Sequence, residues 1–157
     1  MKITLLVVGK TTSNEMEALI KDYEKRIGHF VKFDILCLNG LKNTKKLNEN
    51  DIKLAEGIEI LHVLKDFQNV ILLDDGGQQL RSVGFADKLQ KEFNSGQKHL
   101  CFVIGGAYGF SEAVYKAVPQ QLSLSKMTLS HQMVRLLFVE QLYRGLTIIN
   151  HLPYHHE

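Results

Sequence analysis

The chain has 157 residues, 45% of them hydrophobic and 23% charged, which is the profile of a single globular domain spanning 1–157, with no room for a second. Its 19 basic and 17 acidic residues leave a net charge of +2, which excludes a protein that grips nucleic acid by charge alone. No apolar run approaches the roughly 18 residues that span a bilayer, and the first eight residues are too short for a signal peptide, so the expectation is a cytoplasmic protein with no membrane partner.

Ile3 to Val8 is a continuous apolar run stopped by Gly9, the pattern of a strand buried on both faces. Thr12 and Glu15 fit a capping box, and Met16, Leu19, Ile20, Tyr23 and Ile27 recur at helical spacing up to Gly28. Val31 to Leu38 reads as a second strand, followed by a polar surface loop from Asn39 to Asn50. Its Lys42, Lys45 and Lys46 suit either an RNA contact or an ordinary solvated loop. Ile52, Ala55, Ile58, Leu61, Leu64 and Phe67 predict one apolar stripe of a second helix, in which Gly57 is a local weakness of about 1 kcal/mol.

Val70 to Leu73 predicts a third strand ended by Asp74 to Gly77, and Ser82 a cap for a helix carrying Phe85, Leu89 and Phe93. A fourth strand, Leu100 to Ile104, runs into the glycine turn Gly105-Gly-Ala-Tyr-Gly109, and Ser111 caps a short helix. A weak strand, Leu122 to Leu124, leads into a hydroxyl-rich loop, and a last helix covers about Gln132 to Thr147. Alternating strands and helices predict an α/β fold with a mostly parallel sheet of five or six strands and helices on both faces. The glycine turn and the hydroxyl-rich loop then sit side by side at strand ends and make a crevice.

Several chemistries fail on spacing. Gly9-Lys10-Thr11-Thr12 lacks the earlier glycine of a phosphate loop, since Thr4 stands there. Gly105-Gly106-x-x-Gly109 differs from a dinucleotide fingerprint, and no GxSxG elbow is present. His151, His155 and His156 match no standard zinc spacing. Cys37 and Cys101 lie in apolar runs and predict buried thiols in a reducing compartment. His131, at a helix start after the hydroxyl-rich loop, is either a cap or a functional group. Arg135 lies in the first helical turn, where the dipole disfavours a cation, so a compensating phosphate or carboxylate is expected. Glu140 and Arg144, at i and i+4, read as a surface pair.

Ile104-Gly-Gly-Ala-Tyr-Gly-Phe-Ser111, Leu122-Ser-Leu-Ser-Lys-Met-Thr128, His131-Gln-Met-Val-Arg135, Glu140-Gln-Leu-Tyr-Arg144 and Pro153-Tyr-His155 follow in order. Together they resemble the ribosomal RNA large subunit methyltransferase H family of the SPOUT superfamily, over the whole chain and most specifically over its last third. That resemblance implies a C-terminal deep trefoil knot, a homodimer, and S-adenosylmethionine held mainly by backbone groups, with no metal. The cofactor-binding residues it implies are Leu73, Asp74, Gly105, Gly106 and the loop Leu124, Ser125, Lys126, Met127, Thr128 and Leu129.

The implied reaction is methylation of N3 of a pseudouridine in 23S ribosomal RNA on the assembled ribosome. The candidate catalytic residues are His131, Tyr154 and His155 for the N3 proton, and Arg135 for orientation. The tail Pro153-Tyr154-His155 is expected to complete the neighbouring subunit's site. A non-catalytic ribosome-binding or assembly module is the alternative. Two departures stand out: Ser130 where family members often carry proline, and His156-Glu157 where they often end in a basic residue.

Overall fold

A computed structural model describes residues 1–41 and 46–156. Lys42 and Lys45 of the basic loop therefore lie outside the described residues, while Lys46 is exposed. The elements run β1 (Lys2–Val8), α1 (Asn14–Ile27), β2 (Lys32–Leu38), α2 (Glu49–Leu64), β3 (Val70–Gln79), α3 (Ser82–Asn94), β4 (His99–Ile104), α4 (Glu112–Ala117), β5 (Gln121–Ser123) and α5 (His131–Ile149).

Among the described residues the sheet has five strands, ordered β2-β1-β4-β3-β5, and every pairing is parallel. Parallel strands need helical crossovers, and those helices cover both faces. Side chains alternate across a strand, so Ile3, Leu5, Val7, Leu100, Phe102 and Ile104 point one way, into a core closed by α1, α3 and α5. Leu6, Val8, Cys101 and Val103 point the other way, against Ile60 and Leu64 of α2 and Val114 of α4. The central strands β1 and β4 are therefore apolar on both faces, which accounts for their unbroken apolar runs.

Local details differ from the sequence expectations for identifiable reasons. β3 does not end at Asp74: its register shifts between Leu73 and Gln78, and the strand resumes against β5 as far as Gln79. Gly77 permits this, since a Cβ there would lie 2.6 Å from the Leu122 backbone nitrogen. The cap of α1 is Ser13, whose Oγ accepts from the Met16 amide at 3.2 Å, while the Thr12 amide donates to Gln132 Oε1. Arg81, with no side-chain cap, precedes α3, and the Ser82 hydroxyl donates to Gln141 Oε1 instead. Ser111 holds the cap position of α4 without a capping bond.

The stripe expected on α2 is rotated. Ile58 is 68% exposed, and the buried positions are Ile52, Gly57, Ile60 and Leu64. Gly57 is the cause, because α4 packs so closely that a Cβ there would collide with the Ser111 hydroxyl and lie 3.1 Å from its Cβ. Phe67 falls beyond the helix and packs against His99 in a tilted pair, with ring centroids 4.6 Å apart. Cys101 is buried, and burial raises its thiol pKa to about 12. Cys37 is exposed, contrary to expectation, because β2 is an edge strand with one side uncovered.

Candidate cofactor crevice and catalytic residues

Three strand ends converge on a crevice of about 710 Å³. β3 contributes Leu73, Asp74 and Asp75, the turn after β4 contributes Ile104 to Phe110, and the loop after β5 contributes Leu124, Ser125 and Met127 to His131. α2 adds Glu49 and Lys53 to the rim, and Tyr115 of α4 closes one side. Sites of this kind form outside the carboxyl ends of parallel strands, where loops leave in different directions.

The glycine turn is folded against itself. Gly109, at φ +77°, donates its amide to the Gly106 carbonyl at 3.2 Å, and the left-handed conformation suits glycine. At Gly106 the side normally taken by a Cβ is filled by the carboxylate of Glu56, whose Oε2 is the nearest atom to that position and whose Oε1 lies 2.7 Å from it. A Cβ at Gly106 would therefore need the Glu56 side chain to shift, and one at Gly105 would lie 3.2 Å from the Gly109 backbone carbonyl.

Asp74 is held by two bonds: its Oδ1 accepts from the Gly76 amide at 2.9 Å and its Oδ2 from the Tyr115 hydroxyl at 2.7 Å. Burial, and then the Asp74 carboxylate, push the Tyr115 phenol well above its ordinary range, so it stays a donor. In the loop after β5, Ser123 Oγ donates to the Ser125 carbonyl and Ser125 Oγ accepts from the Met127 amide, both at 2.9 Å. Lys126 turns away from the crevice and reaches the Asp75 carbonyl at 3.4 Å. Ser130, the departure from the family pattern, caps α5 by accepting from the Met133 amide at 3.2 Å, so it stiffens the loop exit.

His131 is the first residue of α5 and lines the crevice. Its Nε2 lies 3.0 Å from Gln132 Nε2, a donor, which assigns the proton of a neutral ring to Nδ1. Burial, and then the nearby Arg135 guanidinium, hold its pKa below the ordinary histidine value. The Gln132 amide also donates to the Lys10 carbonyl at 3.2 Å, tying the β1–α1 loop to the start of α5.

Arg135 is not on the crevice wall. It is 1% exposed, with Nη2 donating to the Val8 carbonyl at 2.7 Å and Nη1 to Thr11 Oγ1 at 3.1 Å. The expected anion is replaced by the carbonyl end of β1, and burial alone lowers the guanidinium pKa from its ordinary value against a small opposing effect of Cys37.

Tyr154 and His155 also lie off the crevice. The Tyr154 hydroxyl donates to Glu140 Oε1 at 3.2 Å and meets the Tyr23 hydroxyl at 3.3 Å, while the Arg144 guanidinium sits 4.8 Å from its ring centre. Glu140 and Arg144 form a two-pronged pair at 2.6 and 3.1 Å with side chains only 19% and 25% exposed, so they are an anchor for the tail and not a solvated surface pair. Burial, followed by the Tyr23 hydrogen bond, raises the Tyr154 phenol. His155 Nδ1 is buried without a partner among the described residues. Tyr115, Gln132 and Glu56 carry no assigned role in the sequence, whereas Glu140 reads as half of a surface pair, and its spacing to Arg144 just upstream of Tyr154 is the one usable signal.

A family model described as "Predicted SPOUT methyltransferase" matches residues 1–155. The chain belongs to the ribosomal RNA large subunit methyltransferase H family of SPOUT proteins. It is 51% identical over 157 residues to the protein of that name from Flavobacterium johnsoniae, covering all of both chains. It is 49% identical, again over the full length of both, to the one from Bacteroides thetaiotaomicron. Among solved structures, a probable methyltransferase from Bordetella pertussis superposes with a TM-score of 0.55 at 12% identity, covering 92% of this chain and 96% of that one, a likeness of fold alone.

Proposed function

We propose that the protein transfers a methyl group from S-adenosylmethionine to N3 of a pseudouridine in 23S ribosomal RNA, acting in the cytoplasm as a homodimer on the assembled ribosome. The observation that carries this reading is the convergence of Asp74, the Gly105-Gly106 turn and the Leu124 to Leu129 loop on one crevice, in a chain of this family. The names of its relatives place their action on large-subunit ribosomal RNA. The reading includes the trefoil knot that the family likeness implies.

The crevice suits the donor. Its volume lies within the roughly 300–1,000 Å³ range of small-molecule sites, and the Gly105-Gly106 turn offers main-chain groups suited to the polar edge of an adenine beside apolar side chains such as Leu73, Ile104 and Leu124. When bound, the donor supplies an electrophilic methyl on a sulfonium. The chain's own part is to align the acceptor nitrogen, exclude water and receive the N3 proton. His131, neutral on the crevice rim, is the group placed to accept it, and Arg135 acts from beneath by fixing the first turn of α5 to the end of β1.

Tyr154 docks beside Glu140, nine residues along α5 from His131, about 13 Å at the helical rise. One chain therefore does not bring its tail to its own crevice, which supports a second copy supplying Pro153-Tyr154-His155. Near-neutral charge favours recognition of a folded ribosomal surface by shape over capture of free RNA duplex.

Isothermal titration with S-adenosylmethionine tests the reading: saturable binding by wild type, lost in Gly106→Val, is expected, and no binding heat at high donor concentration would overturn it. Ribosome association with donor binding but no methyl transfer would favour the non-catalytic assembly module.

A further inference from the structure

Glu49, Lys53 and Glu56 fall at i, i+4 and i+7 on α2, so they share one stripe of the helix, of which Glu49 and Lys53 line the crevice and Glu56 lies behind the wall. Glu49 and Lys53 form its rim, and Glu56, deeper along the same stripe, lies against Gly106. Its Oε2 is sealed from solvent and has no hydrogen-bond partner among the described residues. A buried acceptor without a donor costs on the order of 1–3 kcal/mol, more when charged, and such a group beside a cleft is a candidate for ligand contact.

The surroundings give no structural reason for a carboxylate here. The charged and titratable groups facing the crevice are Glu49 and Lys53 on α2, Asp74 and Asp75 on β3, Tyr108 on the turn, Tyr115 on α4 and His131 on α5. Tyr115 is committed to Asp74, and no salt bridge to Glu56 forms among the described residues. Desolvation is the one cause that raises the Glu56 pKa, with no neighbouring charge contributing.

We propose that Glu56 is a ligand-binding residue, whose carboxylate accepts hydrogen bonds from the hydroxyl or ammonium donors of the methyl donor's ribose and methionine portion when that ligand seats against Gly106. The inference rests on the reading above and adds a charged side-chain contact beside the main-chain groups of the glycine turn. The missing Cβ at Gly106 then serves two partners at once, the ligand in front of the turn and the carboxylate beside it. A carboxylate is suited to such donors because, ionised, it only accepts.

Isothermal titration of wild type, Glu56→Gln and Glu56→Ala with S-adenosylhomocysteine and with methylthioadenosine, paired with thermal melts of the ligand-free proteins, tests this. Glu56→Gln is expected to weaken S-adenosylhomocysteine binding at least tenfold at neutral pH while its Tm equals or exceeds that of wild type, because the variant relieves an unpartnered buried charge. Glu56→Ala should weaken binding at least as much.

A penalty that persists with methylthioadenosine, which keeps the ribose and lacks the amino-acid end, assigns the contact to the ribose. A penalty seen with S-adenosylhomocysteine alone assigns it to the ammonium. Binding by both variants within twofold of wild type overturns the inference and leaves the methyltransferase reading intact. Failure of wild type itself to bind either ligand overturns both. A lowered Tm with unchanged affinity would make Glu56 a packing residue and equally overturn it.

Discussion

Tyr154 donates its hydroxyl proton to the same Glu140 oxygen that receives Arg144, so the C-terminal tail is pinned to α5 of its own chain. The pin fixes where the tail leaves the body and therefore, in the proposed homodimer, where it can reach on the other subunit. Tyr154→Phe removes the bond to Glu140 and keeps the ring over Arg144. We expect turnover on ribosomes to fall more than tenfold while donor affinity stays within twofold of wild type. Equal turnover would detach the tail from catalysis.

Glu140→Gln should loosen the same anchor from the other side. The pair is largely shielded, and its loss is expected to cost about 1 kcal/mol. Chemical denaturation should show that loss together with faster proteolysis after Asn150, and an unaltered cleavage pattern would contradict the pinning.

Gly57 of α2 lies against Ser111, the residue that precedes α4. Gly57→Ala forces a methyl into the Ser111 hydroxyl and is expected to destabilise the fold by about 1–3 kcal/mol, although alanine is the better helix former. Adding Ser111→Ala should restore part of that loss in a double-mutant cycle. A stabilised single variant would show that the helices can separate freely.

His131 carries a pH signature. Burial and Arg135 depress its pKa, so the ring is neutral and able to take a proton down to below the ordinary 6.5. The turnover rate should fall as pH drops through that lowered value, since the base is lost on protonation, and His131→Ala should remove both most of the rate and this acid limb. A variant keeping wild-type rate and profile would leave His131 a structural residue at the start of α5.

Glu56 gives the opposite slope in stability. Its folded-state pKa is raised, so the ionised carboxylate burdens the ligand-free fold near neutrality, and stability relative to Glu56→Gln should improve as pH falls through the raised value. The full gain appears below the unfolded-state pKa. Parallel stability curves for the two proteins would contradict it.

The strands buried on both faces, β1 and β4, were legible because their apolar runs are unbroken, and the crevice was legible because glycines and hydroxyl residues follow strand ends. Proximity in three dimensions was not. Gly57 reads as a helix weakness until α4 is seen against it, and Asp74 to Gly77 reads as a strand end until β5 is seen paired alongside it.

Arg135 looks like an anion seeker by its place in the first turn, yet its partner is the carbonyl of Val8, 127 residues earlier. Cys37 sits in an apolar run, but edge position in the sheet exposes it. Glu56 carries no local signal, since one more glutamate on a helix face looks solvated until the glycine turn closes over it.

Transfer of labelled methyl from S-adenosylmethionine to ribosomes lacking the modification tests the account most directly. Label confined to N3 of one pseudouridine in 23S ribosomal RNA, dependent on intact Gly106 and on residues from His151 onward, is the expected result. Donor binding without any label on ribosomal RNA, or full labelling by protein truncated before His151, would contradict it.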